Sequence, residues 1–126
     1  MANTQTVTVV FADLVDSTAT AQRLGLEAAD ELRQTHFRLL QGAVSGSGGN
    51  EVKDLGDGLM VMYSSASRAL AGAVGMQQAI EHKRSAAESL EVRIGISTGE
   101  ANEEHGDYFG DPVVEAARFA HLARCR

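Results

Sequence analysis

The chain has one cysteine, Cys125, one proline, Pro112, and no tryptophan. A lone cysteine excludes an internal disulfide and fits a reducing compartment, so packing and hydrogen bonds must hold the fold. Aromatic residues make up only 5% of the chain, so aliphatic side chains must build the core. No apolar run approaches the roughly 20 residues that span a bilayer. The segment from Met1 to Thr18 lacks the basic n-region and long apolar core of a secretory signal. A soluble, cytoplasmic protein without membrane contact is expected. Positive charge is scarce as well: 11 Lys and Arg face 17 Asp and Glu, a net charge of −6. That balance argues against nucleic acid as a partner. An anionic nucleotide could bind if metal ions offset the local charge. No G-x-x-x-x-G-K-[ST] loop occurs, so this is not a P-loop protein. The four histidines, at 36, 82, 105 and 121, lack metal-ligand spacing and read as structural or surface residues. Met60, Met62 and Met76 read as core fillers.

What is present is a 126-residue chain with 44% apolar content, enough for one domain with a real core. Thr6 to Phe11 reads as a buried strand. Asp16 or Ser17 can cap a helix running to about Leu24, which Gly25 breaks. Leu26, Ala29, Leu32, His36, Leu40 and Val44 have helical spacing. Ser45 to Gly49 reads as a flexible connection. Glu51 to Lys53 and Leu59 to Tyr63 flank Gly56-Asp57-Gly58, a hairpin signal. Residues 66–82 form an alanine-rich helix with Ala66, Ala69, Leu70, Ala73, Val74, Gln77 and Ile80 on one side. Leu90 to Ile96 alternates as a half-buried strand. Asp111 caps a last helix that starts at Pro112 and shows Val113, Ala116, Ala117, Ala120 and Ala123 on its apolar side. The expected class is α+β, a ferredoxin-like βααββαβ core with an antiparallel sheet and helices on one face, plus an extra C-terminal helix.

Two carboxylates stand out. Asp57 lies at the tip of a glycine-flanked turn, and Asp13 ends the apolar run from Val7 to Phe11. Taken singly, Asp57 reads as a hairpin turn residue and Asp13 as a helix-capping aspartate. Taken together they fit a metal pair, because the first strand of such a sheet is central and its end can lie near the hairpin tip. Mg²⁺ accepts one or two carboxylates completed by phosphate oxygens and water, and paired metals suit phosphoryl chemistry. Ser17 and Thr18 open a helix, whose N-terminal N–H groups favour phosphate or are simply capped. Lys53 is either a solvated edge lysine or a donor to a base or phosphate. Asp107 sits in a glycine-bounded turn, 106–110. Arg118, on the last helix, pairs with Glu115 or Glu104 or serves charge developing on phosphorus.

Four segments in order carry a family resemblance: Val9 to Thr18 (VVFADLVDST), Lys53 to Gly58 (KDLGDG), Arg93 to Glu100 (RIGISTGE) and Gly106 to Gly110 (GDYFG). Together they resemble the class III adenylate/guanylate cyclase catalytic domain, most closely its actinobacterial branch, over nearly the whole chain. The resemblance implies that Asp13 and Asp57 bind two divalent metal ions, Mg or Mn, with the Leu14 carbonyl assisting. It implies that Lys53 and Asp107 read adenine, and that Arg118 is the transition-state arginine. It also implies a head-to-tail homodimer, in which one subunit supplies the metal aspartates and the other the base-reading pair and the arginine. The implied reaction converts ATP to 3′,5′-cyclic AMP and pyrophosphate.

Three features depart from the family pattern. Val114 stands where the pattern V-N-x-A-x-R has asparagine. Asp16 stands where many relatives have glycine. The chain ends at Arg126, ahead of the strands that in relatives carry a triphosphate lysine and part of the dimer interface. The sequence therefore supports a single cyclase domain, 1–126, of reduced activity. Its rival is a cyclase-homology module that binds nucleotide or a partner without turnover.

Overall fold

The computed structural model describes residues 3–15, 22–56, 58–83 and 90–123. The elements run β1 (Asn3–Val15), α1 (Leu26–Ser47), β2 (Asn50–Asp54), β3 (Gly58–Tyr63), α2 (Ala66–Lys83), β4 (Glu91–Glu104), β5 (Asp107–Phe109) and α3 (Asp111–Leu122). Residues 22–24 are helical, and Gly25, at φ 90°, separates them from α1. The five strands form one antiparallel sheet in the order β2-β3-β1-β4-β5. This is the expected α+β, ferredoxin-like arrangement with β1 at its centre.

The central strand explains the two-layered core. Even-numbered residues Val10, Ala12 and Leu14 face α1 and α2, where they pack with Phe37, Leu40, Val44, Met76 and Ile80. Odd-numbered Val7 and Val9 face the other way and pack with Met60, Ala101, Tyr108 and Ala116. The period-2 alternation of a strand thus feeds two apolar layers, and the extra helix α3 closes the second. Gly95 permits this closure. A Cβ there would collide with the backbone of Ala116 and Ala120, so α3 rests directly on β4.

His36 is buried and structural. Its Nε2 accepts the Leu90 N–H at 3.1 Å, which leaves Nδ1 to donate to the Leu32 carbonyl at 2.8 Å. That pairing ties α1 to the start of β4 and satisfies a buried amide.

Several boundaries differ from the sequence reading. The β1 strand extends two residues past Asp13 instead of ending there. The stretch Ser45 to Ser47 is helical, and Gly48 ends α1 in the left-handed conformation at φ 79°. Here tertiary packing outweighs the weak helix propensity of serine and glycine. On α2, Leu70 and Val74 are exposed, while Ala69, Gly72, Met76 and Ile80 are buried. Strand β4 runs 14 residues, and the glycine-bounded turn is the short strand β5 that pairs with its end. Gly110, not Asp111, is the N-cap of α3, and no side chain caps it. Ala117 on α3 is exposed. Among the described residues no helix is long and apolar enough to cross a membrane.

Candidate active site

The register fixes Asp13. Its Cα partner on β3 is Gly58, the first residue of that strand, and its partner on β4 is Arg93. The β1–β3 ladder stops at this pair, while the β1–β4 ladder runs on through Leu14 to Val15. Asp13 therefore sits where β1 emerges from β3, on the sheet face that α3 covers. A Cβ at Gly58 would lie 2.8 Å from the Ala12 carbonyl and 3.3 Å from Asp13 Oδ1, so glycine is what lets β3 approach β1 this closely. Directly opposite, Arg93 donates from Nη1 to the His121 carbonyl at 3.2 Å. Its Nε is buried without a hydrogen-bond partner among the described residues. Asp13 stood out in the sequence as a candidate; its pairing with Arg93 did not, because it depends on cross-strand register.

Lys53 and Asp107 meet. Lys53 Nζ donates to Asp107 Oδ2 at 2.9 Å, with both side chains partly exposed. Asp107 Oδ1 accepts the Tyr108 N–H at 2.8 Å. The hydrogen bond from Lys53, aided by the Tyr108 amide, holds the Asp107 carboxyl below the usual 3.8 against the opposing effect of burial. A slip in the β2–β3 ladder between Glu51 and Lys53 aims the lysine. Glu51 pairs with Val61 and Lys53 with Met60, so Val52 has no separate position. Such a bulge redirects the side chain that follows it. Lys53 thereby reaches the α3 side of the sheet, shared with Asp13.

Arg118 lies on the exposed side of α3, one turn after Val114, which is 55% exposed. Glu115, named in the sequence reading as a partner for Arg118, instead accepts a hydrogen bond from the Ser97 hydroxyl at 2.7 Å. Leu14 is buried in the α1/α2 layer, so only its backbone is offered toward a ligand. Asp57, Ser17, Thr18 and the capping residue Asp16 lie outside the described residues.

No cluster of three or more His, Cys, Asp or Glu side chains occurs among the described residues. A hard divalent cation does not require one when nucleotide phosphates complete its shell. The Asp13 carboxylate, a hard oxygen donor at the end of the β1–β3 ladder, is the ligand type such a cation takes.

The sequence and the fold match known proteins. Residues 1–125 match the family model of the adenylate and guanylate cyclase catalytic domain. A Mycobacterium tuberculosis protein of uncharacterized function is 35% identical over 113 residues, 90% of this chain and 29% of its own length. An adenylate cyclase of Streptomyces coelicolor is 31% identical over 115 residues, 91% of this chain and 29% of its own length. The chain thus spans under a third of these relatives. A solved adenylate/guanylate cyclase/hydrolase from Silicibacter pomeroyi superposes with TM-score 0.85 at 28% identity, covering 98% of this chain and 74% of that one. The guanylyl cyclase domain of the RhoGC fusion protein from Blastocladiella emersonii superposes with TM-score 0.83 at 21% identity, over 98% of this chain and 79% of that one, a likeness of fold alone. The sequence match and the fold place the chain among nucleotidyl cyclase catalytic domains. The chain belongs to the adenylate and guanylate cyclase catalytic domain family.

Proposed function

We propose that this domain converts ATP to 3′,5′-cyclic AMP and pyrophosphate at the interface of a head-to-tail homodimer, in nucleotide signalling. The observation that carries the choice of ATP is the Lys53–Asp107 pair, a donor and an acceptor held 2.9 Å apart. Adenine offers an acceptor at ring N1 and a donor at its exocyclic amine, which this pair matches. Guanine offers the reverse pattern.

Asp13 and Asp57, with the Leu14 carbonyl, are the residues to hold two divalent ions, Mg or Mn, which when bound would activate the ribose 3′-hydroxyl and neutralise phosphate charge. Lys53 and Asp107 orient the base. The N–H groups around Ser17 and Thr18 and the guanidinium of Arg93 offer donors to phosphate oxygens. Arg118, from the second subunit, opposes the charge that builds on the α-phosphorus. The 3′-oxygen forms a bond to that phosphorus, the bond to the β-phosphate oxygen breaks, pyrophosphate leaves and the hydroxyl proton passes to solvent.

The second reading is a module that binds nucleotide without turnover. It is favoured by Val114, whose apolar side chain cannot hydrogen-bond a ribose. One experiment separates the two. Cyclic nucleotide formation from ATP and from GTP is followed in Mn²⁺ over a range of protein concentrations. Cyclic AMP that rises faster than linearly with protein supports the homodimeric adenylate cyclase. Comparable product from GTP would remove the base assignment. ATP binding without product at any concentration would establish the binding module.

A further inference from the structure

Arg33 lies on α1, outside every motif singled out in the sequence, yet its guanidinium reaches the β2–β3 turn. Nη1 donates to the Gly56 carbonyl at 2.6 Å. Nη2 donates to Asp30 Oδ1 at 2.8 Å, and Asp30 Oδ2 accepts from Gln34 Nε2 at 2.9 Å. The guanidinium carbon stands 5.5 Å from the ring centre of Phe37, which is anchored in the core. The guanidinium is therefore set by a carboxylate on one side and an aromatic face on another. The one hydrogen bond that leaves its own helix goes to the turn.

The turn is organised to receive it. Gly56 adopts φ 94°, its N–H donates to Asp54 Oδ1 at 2.7 Å, and the Leu55 N–H donates to the Gly58 carbonyl at 2.8 Å. Asp54 thus holds Gly56 by its amide and Arg33 holds it by its carbonyl. That carbonyl belongs to the planar peptide unit joining Gly56 to the next residue in the chain, Asp57. An exposed i, i+3 ion pair such as Asp30–Arg33 adds little stability by itself, so helix stabilisation is a weak account of the cluster. A planar fork that bridges a carboxylate and a carbonyl is instead a positioning device, and lysine cannot reproduce it.

We propose that Arg33, oriented by Asp30 and Phe37, is a positioning residue that holds Gly56, and through the Leu55–Gly58 bond the start of β3 beside Asp13, in the geometry needed for divalent metal binding at Asp13. The inference rests on the metal assignment above. It makes α1 part of the active-site framework, and outer partners of this kind set metal affinity through the ligands they orient.

The test compares the wild-type protein with R33K, R33Q and D30N. Mn²⁺ affinity is measured in the presence of α,β-methylene-ATP, by electron paramagnetic resonance of free Mn²⁺ and without turnover. Amide hydrogen exchange at Leu55 and Gly56 is measured in the absence of metal. The expected result is a roughly tenfold weaker Mn²⁺ affinity in both Arg33 variants, a smaller loss in D30N, and faster exchange confined to the turn, with little change in thermal midpoint. If R33Q fails to fold, R33K and D30N still decide the matter. Unchanged Mn²⁺ affinity and unchanged exchange in these variants, beside a wild type that binds Mn²⁺, would overturn the role of Arg33 alone. A wild type that binds no Mn²⁺ would overturn the metal assignment and this inference with it.

Discussion

Lys53 on β2 and Asp107 on β5 are bonded at 2.9 Å although their strands form opposite edges of the sheet. The sheet must curl for its edges to meet, and the pair closes it across the α3 side. On the function proposed above, an entering purine would have to take this donor and this acceptor from each other, so the pair would serve the sheet before the base binds and the base afterwards.

The depressed Asp107 carboxyl has a consequence in acid. A carboxylate whose pKa is lower folded than unfolded adds stability above the unfolded value and loses it as pH falls through the folded value. The stability gap between wild type and D107N should hold steady near neutrality and close as pH falls from about 5 toward 2. Urea denaturation of both proteins across that range checks this. As the pair is partly exposed, the gap should be small, about 0.2–1 kcal/mol.

Asp13→Asn should lower Mn²⁺-supported cyclic nucleotide formation by roughly 10²-fold or more, because a neutral amide binds a hard cation poorly. Asp13 is only partly buried and ends the β1–β3 ladder, so the fold should persist. Parallel activity and thermal-melting assays check this, and wild-type turnover in the variant would remove Asp13 from the metal site.

Val114→Asn restores the polar side chain that the family pattern carries at this position. The side chain is exposed, so a polar group costs no core packing there. Turnover should rise by roughly 10²-fold if a missing ribose hydrogen bond limits the wild type. The comparison of kcat for both proteins checks this, and an unchanged kcat would show that other groups set the rate.

Gly95→Ala should destabilise the protein by about 1–3 kcal/mol, the usual cost of forcing extra volume into a packed contact. The added methyl would strike the backbone of Ala116 and Ala120, so α3 must lift from β4. Urea denaturation measures the loss. Because Arg118 rides on α3, activity should fall along with stability.

Much of this architecture was readable in the chain. The Val7 to Ala12 run, the glycine-flanked hairpin and the helical spacing from Leu26 to Val44 are local patterns with fixed periods, and they predicted the order and type of the main elements. The segments around Asp13, Lys53 and Asp107 marked these residues as candidates by their types, and the Lys53–Asp107 pair does form. What misled was also local: serines and glycines at 45–47 looked like a linker, and glycines around Asp107 looked like a turn. Their actual states depend on neighbours distant in sequence.

The sequence by itself determined the family, the antiparallel α+β plan and the residue types available to a nucleotide and its metals, because those rest on side-chain chemistry and short-range periodicity. Only the tertiary structure decided which residues meet. The β1 register set Asp13 between Gly58 and Arg93. The slip at Glu51/Lys53 turned Lys53 toward Asp107. The packing of α1 on the sheet brought Arg33 to Gly56. The physical reason is common to all three. Register, bulges and helix docking follow from how whole elements pack, and no single segment encodes its partner's position.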